Sequence, residues 1–118
     1  MNVEEFRIYC LSKKGVTEEF PFDEHTLVFK VMGKMFALVP LERLPSQANL
    51  KCDPEKAIEL REAYDGVVIP GYHMSKKHWN TIYLDNLPSK FVVDQIEHSY
   101  ELVVQGLTKK LKEELKSL

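Results

Sequence analysis

A chain of 118 residues with 44% hydrophobic and 29% charged side chains can bury a core without disulfides or metals and has the composition of an ordinary globular domain. Its formal charge of -2 excludes the strongly basic class of DNA binder and supplies no global attraction to anionic membranes.

Residues 2–14 read as a helix. Asn2 caps it and Glu5 reaches back in an approximate capping box. Val3, Phe6 and Cys10 share one face, with Leu11 beside them. Lys13 and Lys14 suit the negative end of the helix, and Gly15 stops it. An acidic loop, 17–24, follows, with Phe20 and Phe22 expected to anchor it on the core. Strands are expected at 25–32 and 34–40, where Leu27, Phe29 and Val31 alternate with Val28, Lys30 and Met32. Gly33-Lys34 between them suits a type II′ turn. Pro40 and Pro45 bracket a short loop before a third strand at 47–52.

Asp53-Pro54 is a strong helix start, a capping carboxylate followed by proline in the first turn. That helix should run to Tyr64 and bury Ala57, Leu60 and Tyr64, with Ile58 near the stripe. A short strand at 67–69 ends at Pro70-Gly71. Residues 77–84 alternate again, Lys77, Trp79, Thr81 and Tyr83 against His78, Asn80, Ile82 and Leu84. The longest helix spans 89–105 with Val92, Val93, Ile96, Tyr100, Val103 and Val104 inward. Leu107, Leu111 and Leu115 mark a short, weakly anchored terminal helix within 106–118. The order αβββαββα predicts one α+β domain over 1–118, built on an antiparallel sheet of about five strands.

Charge is segregated by element. The predicted sheet regions, 25–52 and 66–84, sum to +5, and the rest of the chain carries -7. Acids are depleted from strands in general, but so is lysine, and here lysine remains. The segregation is therefore either a strand-composition effect or a surface that meets phosphates or acidic groups. With only three arginines, Arg7, Arg43 and Arg61, bidentate base reading by a recognition helix is not expected.

No nucleophile elbow, P-loop, dinucleotide fingerprint or His-Glu-x-x-His run is present, so no enzyme, cofactor or catalytic residue is expected. His73 and His78 would face opposite ways in a strand, so no metal site is expected either. Cys10 and Cys52 match no metal or redox spacing and read as small reduced apolar residues. Cys52, beside a helix start, is in a position to have a lowered pKa, but the apolar alternation argues for its burial. No apolar run nears the ~20 residues of a membrane span and the N-terminus opens on acids, so a cytoplasmic protein without a membrane partner is expected.

The candidate binding stretch is 71–79, Gly-Tyr-His-Met-Ser-Lys-Lys-His-Trp. Tyr72, His73, Lys76, Lys77 and His78 surround Trp79, and Lys30 and Lys34 come from the early hairpin. Two readings of this stretch stand. In one, the lysines contact phosphates while an aromatic stacks or supports the loop. In the other, Trp79 is a core residue of its strand and the lysines are merely solvated.

Tyr72-His-Met-Ser-Lys-Lys-His-Trp79 with Tyr83-Leu-Asp85 resembles the signature of the MmcQ/YjbR family, in which Asn is typical where Ser75 stands. Phe29-Lys-Val, Gly33-Lys-Met-Phe-Ala37, Asn49-Leu-Lys51 and Ser99-Tyr-Glu-Leu-Val103 resemble further family segments in the same order, out to about Leu111. The resemblance implies a double-wing fold grouped with secretion-chaperone-like or CyaY-like folds. It also implies the family's usual label, predicted bacterial DNA-binding protein, which rests on analogy of fold. DNA is then the first expected partner. The alternative is a protein-interaction or chaperone-like binding module, using an exposed sheet face or an apolar groove and without nucleic-acid affinity.

Overall fold

The computed structural model describes residues 1–71 and 74–118. Helix α1 (Val3–Leu11) is followed by strands β1 (Val16–Glu19), β2 (Thr26–Val31), β3 (Lys34–Pro40) and β4 (Gln47–Lys51). Then come helix α2 (Pro54–Ala63), strands β5 (Val68–Pro70) and β6 (Trp79–Tyr83), and a 3-10 turn at Leu84–Asn86. Helices α3 (Ser89–Gln105) and α4 (Lys109–Lys116) end the chain. The strands form one antiparallel sheet in the order β1-β2-β3-β4-β6-β5. The α+β class holds, with six strands among the described residues instead of about five.

The additional strand is β1, part of the stretch read as an acidic loop. Its glutamates are matched on both sides of the sheet. Glu18 accepts from the Arg7 guanidinium at 2.7 and 2.6 Å, and Glu19 pairs with Lys30 on the neighbouring strand. Each acid thus meets a cation that propensity alone does not reveal.

The helix start signals are realised. Asn2 and Glu5 form both bonds of a capping box, and Asp53 accepts from the Lys56 N–H at 3.2 Å ahead of Pro54. The core lies between the sheet and the helices, where Phe6, Phe29, Phe36, Ile82, Leu84 and Ile96 are fully enclosed. Burying each such side chain contributes about 1.5–3 kcal/mol. Helix α3 lies across β2, β3 and β4. A bulge at Phe36 interrupts the β2–β3 register, and buried Ser99 of α3 fastens it. The Ser99 hydroxyl donates to the Phe36 carbonyl at 2.5 Å and accepts the Lys51 N–H at 2.9 Å.

Four expectations are corrected. The β2–β3 turn is centred on Met32 and Gly33, with φ of 50° and 82°. Two positive φ values make it a type I′ turn, which matches the twist of the strands, and the Met32 N–H is held by the Gly15 carbonyl at 3.1 Å. Phe20 and Phe22 do not anchor their loop on the core; both are exposed, Phe22 to 66%. On α2 only Ala57 is buried, and Ile58 and Tyr64 are exposed, because this helix lies against the short β5 at the sheet edge. The terminal helix is firmly seated, since Leu107 and Leu115 join the main core. A Cβ at Gly15 (φ +76°) would come within 2.6 Å of Leu115 Cδ1. Among the described residues no helix is long and apolar enough to cross a membrane.

Candidate functional site

The sheet has one face under the helices and one without them. The uncovered face presents Thr26, Val28 and Lys30 of β2, Met35 and Leu38 of β3, Gln47, Asn49 and Lys51 of β4, and Trp79 and Thr81 of β6, as alternation and register require. On it Val28, Leu38 and Trp79 form a small cluster joined by Met35 and Met74. Trp79 is 8% exposed, so it is a core residue, but of this minor cluster and not of the main core. The indole is a floor for the loop and not an open stacking platform.

The loop leading to Trp79 is held by its backbone and by one arginine. Ser75 O accepts from the N–H groups of His78 and Trp79 at 3.1 and 2.9 Å, and Gly71 N–H donates to Trp79 O at 2.8 Å. A Cβ on Gly71 would lie 2.8 Å from Trp79 Cβ, so no larger residue fits this crossing. From α2, Arg61 Nε donates to Asn80 Oδ1 at 2.7 Å, while Nη2 donates to the carbonyls of Lys76 and, at 3.2 Å, Trp79. The planar fork serves three acceptors from two nitrogens held at a fixed separation, a geometry that the single nitrogen of an ammonium does not match.

Of the site residues expected from the sequence, Lys76, Lys77 and His78 are exposed together on this turn. Lys30 shares the face but is paired with Glu19. Lys34 lies opposite Val31 of the main core, so it projects from the end of the sheet toward the helix side. The hairpin lysines therefore do not extend the patch at the 75–79 turn. Tyr72 and His73 lie outside the described residues.

Lys51, cross-strand neighbour of Trp79, takes the place of the hairpin lysines. Lys51, Lys76 and Lys77 form no ion pair among the described residues. Arg61, which carries the loop, and Lys51 were missed as site residues; the Lys51-Trp79 pairing follows only from β4 lying beside β6. A pocket of about 330 Å³ also opens on this face, lined by residues of β2, β3, β4 and three loops. Its separated segments left no sequence signal.

The remaining shifted groups are structural. Burial pushes the Cys10 and Cys52 thiols up, so Cys52 does not have the lowered pKa that a helix start permits. Hydrogen bonding to Glu97 raises Tyr9 to about 12. Burial pushes the Glu97 carboxyl up, but bonds from Lys13 and Tyr9 outweigh it and hold the group below its ordinary value. Desolvation lowers His98, whose Nε2 accepts the Asp53 N–H at 3.1 Å.

A family model described as YjbR matches residues 11–102. The chain is 39% identical over 92 residues to the uncharacterized protein YbdF of Escherichia coli O157:H7, covering 77% of this chain and 75% of that one. It is 34% identical over 109 residues to the uncharacterized protein YjbR of Escherichia coli K12, covering 91% of each. A crystal structure of a Deinococcus radiodurans protein with a DUF419 domain superposes with a TM-score of 0.90 at 40% identity, over 98% of this chain and 88% of that one.

Proposed function

We propose that this chain, which belongs to the YjbR family, is a non-enzymatic binding protein that makes weak, largely sequence-independent contact with DNA through the uncovered face of its sheet. The observation that carries this reading is the placement of Lys51 of β4 and of Lys76 and Lys77, on the turn that Arg61 holds, around the buried Trp79, with no ion pair to any of the three among the described residues. A fixed backbone with free ammonium groups suits phosphate contact, which positions nucleic acid without reading its sequence. Arg43, at the other end of the same face, adds a fourth cation. The net charge of -2 keeps the affinity low.

Four neutralised phosphates give a slope of log affinity against log salt of about -3.6 on duplex DNA, at roughly -0.9 per contact. Fluorescence anisotropy with a labelled duplex between low and moderate salt measures it. Lys76→Ala with Lys77→Ala should make the slope shallower by about 1.8. Absence of binding at low salt, or a slope untouched by the double substitution, removes the reading.

A second reading has its own observation. Phe20, Phe22, Leu41 and Leu44 are exposed, Leu44 to 83%, on two loops joined by the Leu41 N–H to His25 carbonyl bond at 2.8 Å. Such a rim suits a protein partner. Self-association in sedimentation that disappears in Phe22→Ser with Leu44→Ser would favour it; monomers at all concentrations would not.

A further inference from the structure

The pocket on the uncovered face has a division of labour that phosphate contact alone does not use. Its apolar lining is Phe22, Pro40 and Met74, with Leu38 beside Asn49 on the sheet below. Its floor is a pair of side-chain amides, Gln47 and Asn49, two residues apart on β4 and so directed to the same side. The Thr81 hydroxyl donates to Asn49 Oδ1, which turns the Asn49 Nδ2 donors toward the pocket. Gln47 is only 6% exposed and lines the pocket. Its amide has no hydrogen-bond partner among the described residues and is not among the wholly enclosed unpaired atoms. A largely desolvated amide whose remaining opening is a pocket is a recognition group awaiting a complement.

Asp23 and Arg43 complete the rim. The Asp23 carboxylate accepts from the N–H groups of His25 and Thr26 at 2.8 and 2.7 Å and from the Thr26 hydroxyl at 3.2 Å. Those bonds hold its pKa below the ordinary carboxylate value, the His25 N–H contributing most. An ionised carboxylate here is an acceptor and repels an anion placed beside it. The anionic part of any ligand must therefore lie toward Arg43 or toward the lysines at the other end. Gln47 and Lys51, four residues apart on β4, are separated by about 13 Å at ~3.3 Å per residue.

We propose that this pocket binds a single nucleobase of a nucleotide. The flat ring lies between the Met74 and Phe22 walls, its edge meets the amides of Gln47 and Asn49, and its phosphate is held by Arg43 or the Lys51–Lys76–Lys77 cluster. Paired amides supply the donors and acceptors that base edges require, and a pocket of about 330 Å³ is within the range of small-ligand sites. A base carrying an exocyclic amine is favoured over thymine: the amine projects its donors outward to the Asp23 carboxylate, whereas the one N–H left on thymine in a nucleotide lies between two carbonyl oxygens that the carboxylate repels. The ligand is either a free mononucleotide or an unpaired base of a single strand. The second form rests on the DNA-binding reading above; the first does not.

The test is a titration of the 15N-labelled full chain with dCMP, dTMP, a single-stranded oligodeoxycytidylate and a fully paired duplex, following the side-chain amides of Gln47 and Asn49. The expected result is that dCMP, the oligodeoxycytidylate or both shift these amides, with dCMP ahead of dTMP where the mononucleotides bind. Gln47→Met, which keeps the volume, and Asn49→Asp, which keeps the Thr81 bond, should each weaken that binding about tenfold or more. Lys76→Ala with Lys77→Ala should weaken the oligonucleotide far more than dCMP. Shifts from dCMP but not from the oligonucleotide identify a free nucleotide as the ligand and leave the pocket standing without the DNA reading. Shifts from the oligonucleotide alone identify a strand base as the ligand. Binding of either nucleic acid with both amides unmoved, equal response to dCMP and dTMP, or no shift from any ligand overturns the pocket proposal. In the first of these cases the DNA reading survives.

Discussion

The two faces of the sheet solve different problems with the same strands. On the helix side, Phe6, Phe29, Phe36 and Ile96 interlock until little surface remains, and the one buried polar group that fastens it, Ser99, has its hydroxyl committed as donor and acceptor. On the uncovered side the buried apolar content shrinks to Val28, Leu38 and Trp79, and around them Lys51, Lys76 and Lys77 form no ion pair among the described residues. The helix side still leaves one enclosed donor unpaired among the described residues, Asn80 Nδ2, beside the Oδ1 that Arg61 holds; the contrast is one of degree, near-complete enclosure on one side and exposed cationic donors on the other.

That contrast can be tested by substitution, from the largest expected effect downward. Phe36→Ala opens a cavity under α3, removes the edge-on contact with Tyr100 at a centroid distance of 5.6 Å, and should cost about 3–5 kcal/mol in denaturant unfolding. Ser99→Ala leaves the Phe36 carbonyl and the Lys51 N–H without their buried partner, an expected loss of about 1–3 kcal/mol. If Ser99→Ala were neutral, the fastening of the bulge would be redundant.

Acid should act mainly on the helix side. Glu97 and Glu18 are held below their ordinary values, Glu97 against the raising effect of burial and Glu18 chiefly by its bond from Arg7. Lowered carboxylates stabilise the fold fully above the unfolded values near pH 4, and this contribution is lost as pH falls through the folded ones. His98, lowered by desolvation, has the same sign in a higher window, its contribution lost from about pH 6.5 downward. Urea midpoints measured from pH 7 to pH 3 should decline in two stages, with the upper stage missing in His98→Gln.

The smallest stability change is expected on the open side. Lys76→Ala with Lys77→Ala should alter unfolding free energy by no more than about 0.5 kcal/mol, as for surface sites generally, while flattening the salt dependence of DNA binding. A large stability loss from that pair would show that the open face carries structural load after all.

How much of this was legible in the chain depended on how local the cause was. The helix starts at Asn2 and Asp53, the presence of a hairpin at Gly33 and most of the inward stripe of α3 follow from neighbours within a few residues and were readable; Val93 and Val104, expected inward, are only half-buried, and Gln95 and Ser99 are buried in the stripe. Strand β1 was not, since Thr-Glu-Glu becomes a strand only because Arg7 and Lys30 arrive from other elements. Alternation marked Trp79 as a strand residue, but not that its side of β6 faces away from the helices. Lys51 and Trp79 become neighbours only through the β4–β6 pairing. The pocket joins Asp23, Arg43, Gln47 and Met74, which no spacing rule connects.

Because the lone indole belongs to the minor cluster while the helices lie across the sheet, tryptophan emission and far-ultraviolet circular dichroism report on opposite layers of one small molecule. Coincident melting curves from the two signals would show that the strands transmit cooperativity through their full thickness. An earlier optical transition at the indole would isolate loosening of the ligand-facing layer while the helices still hold.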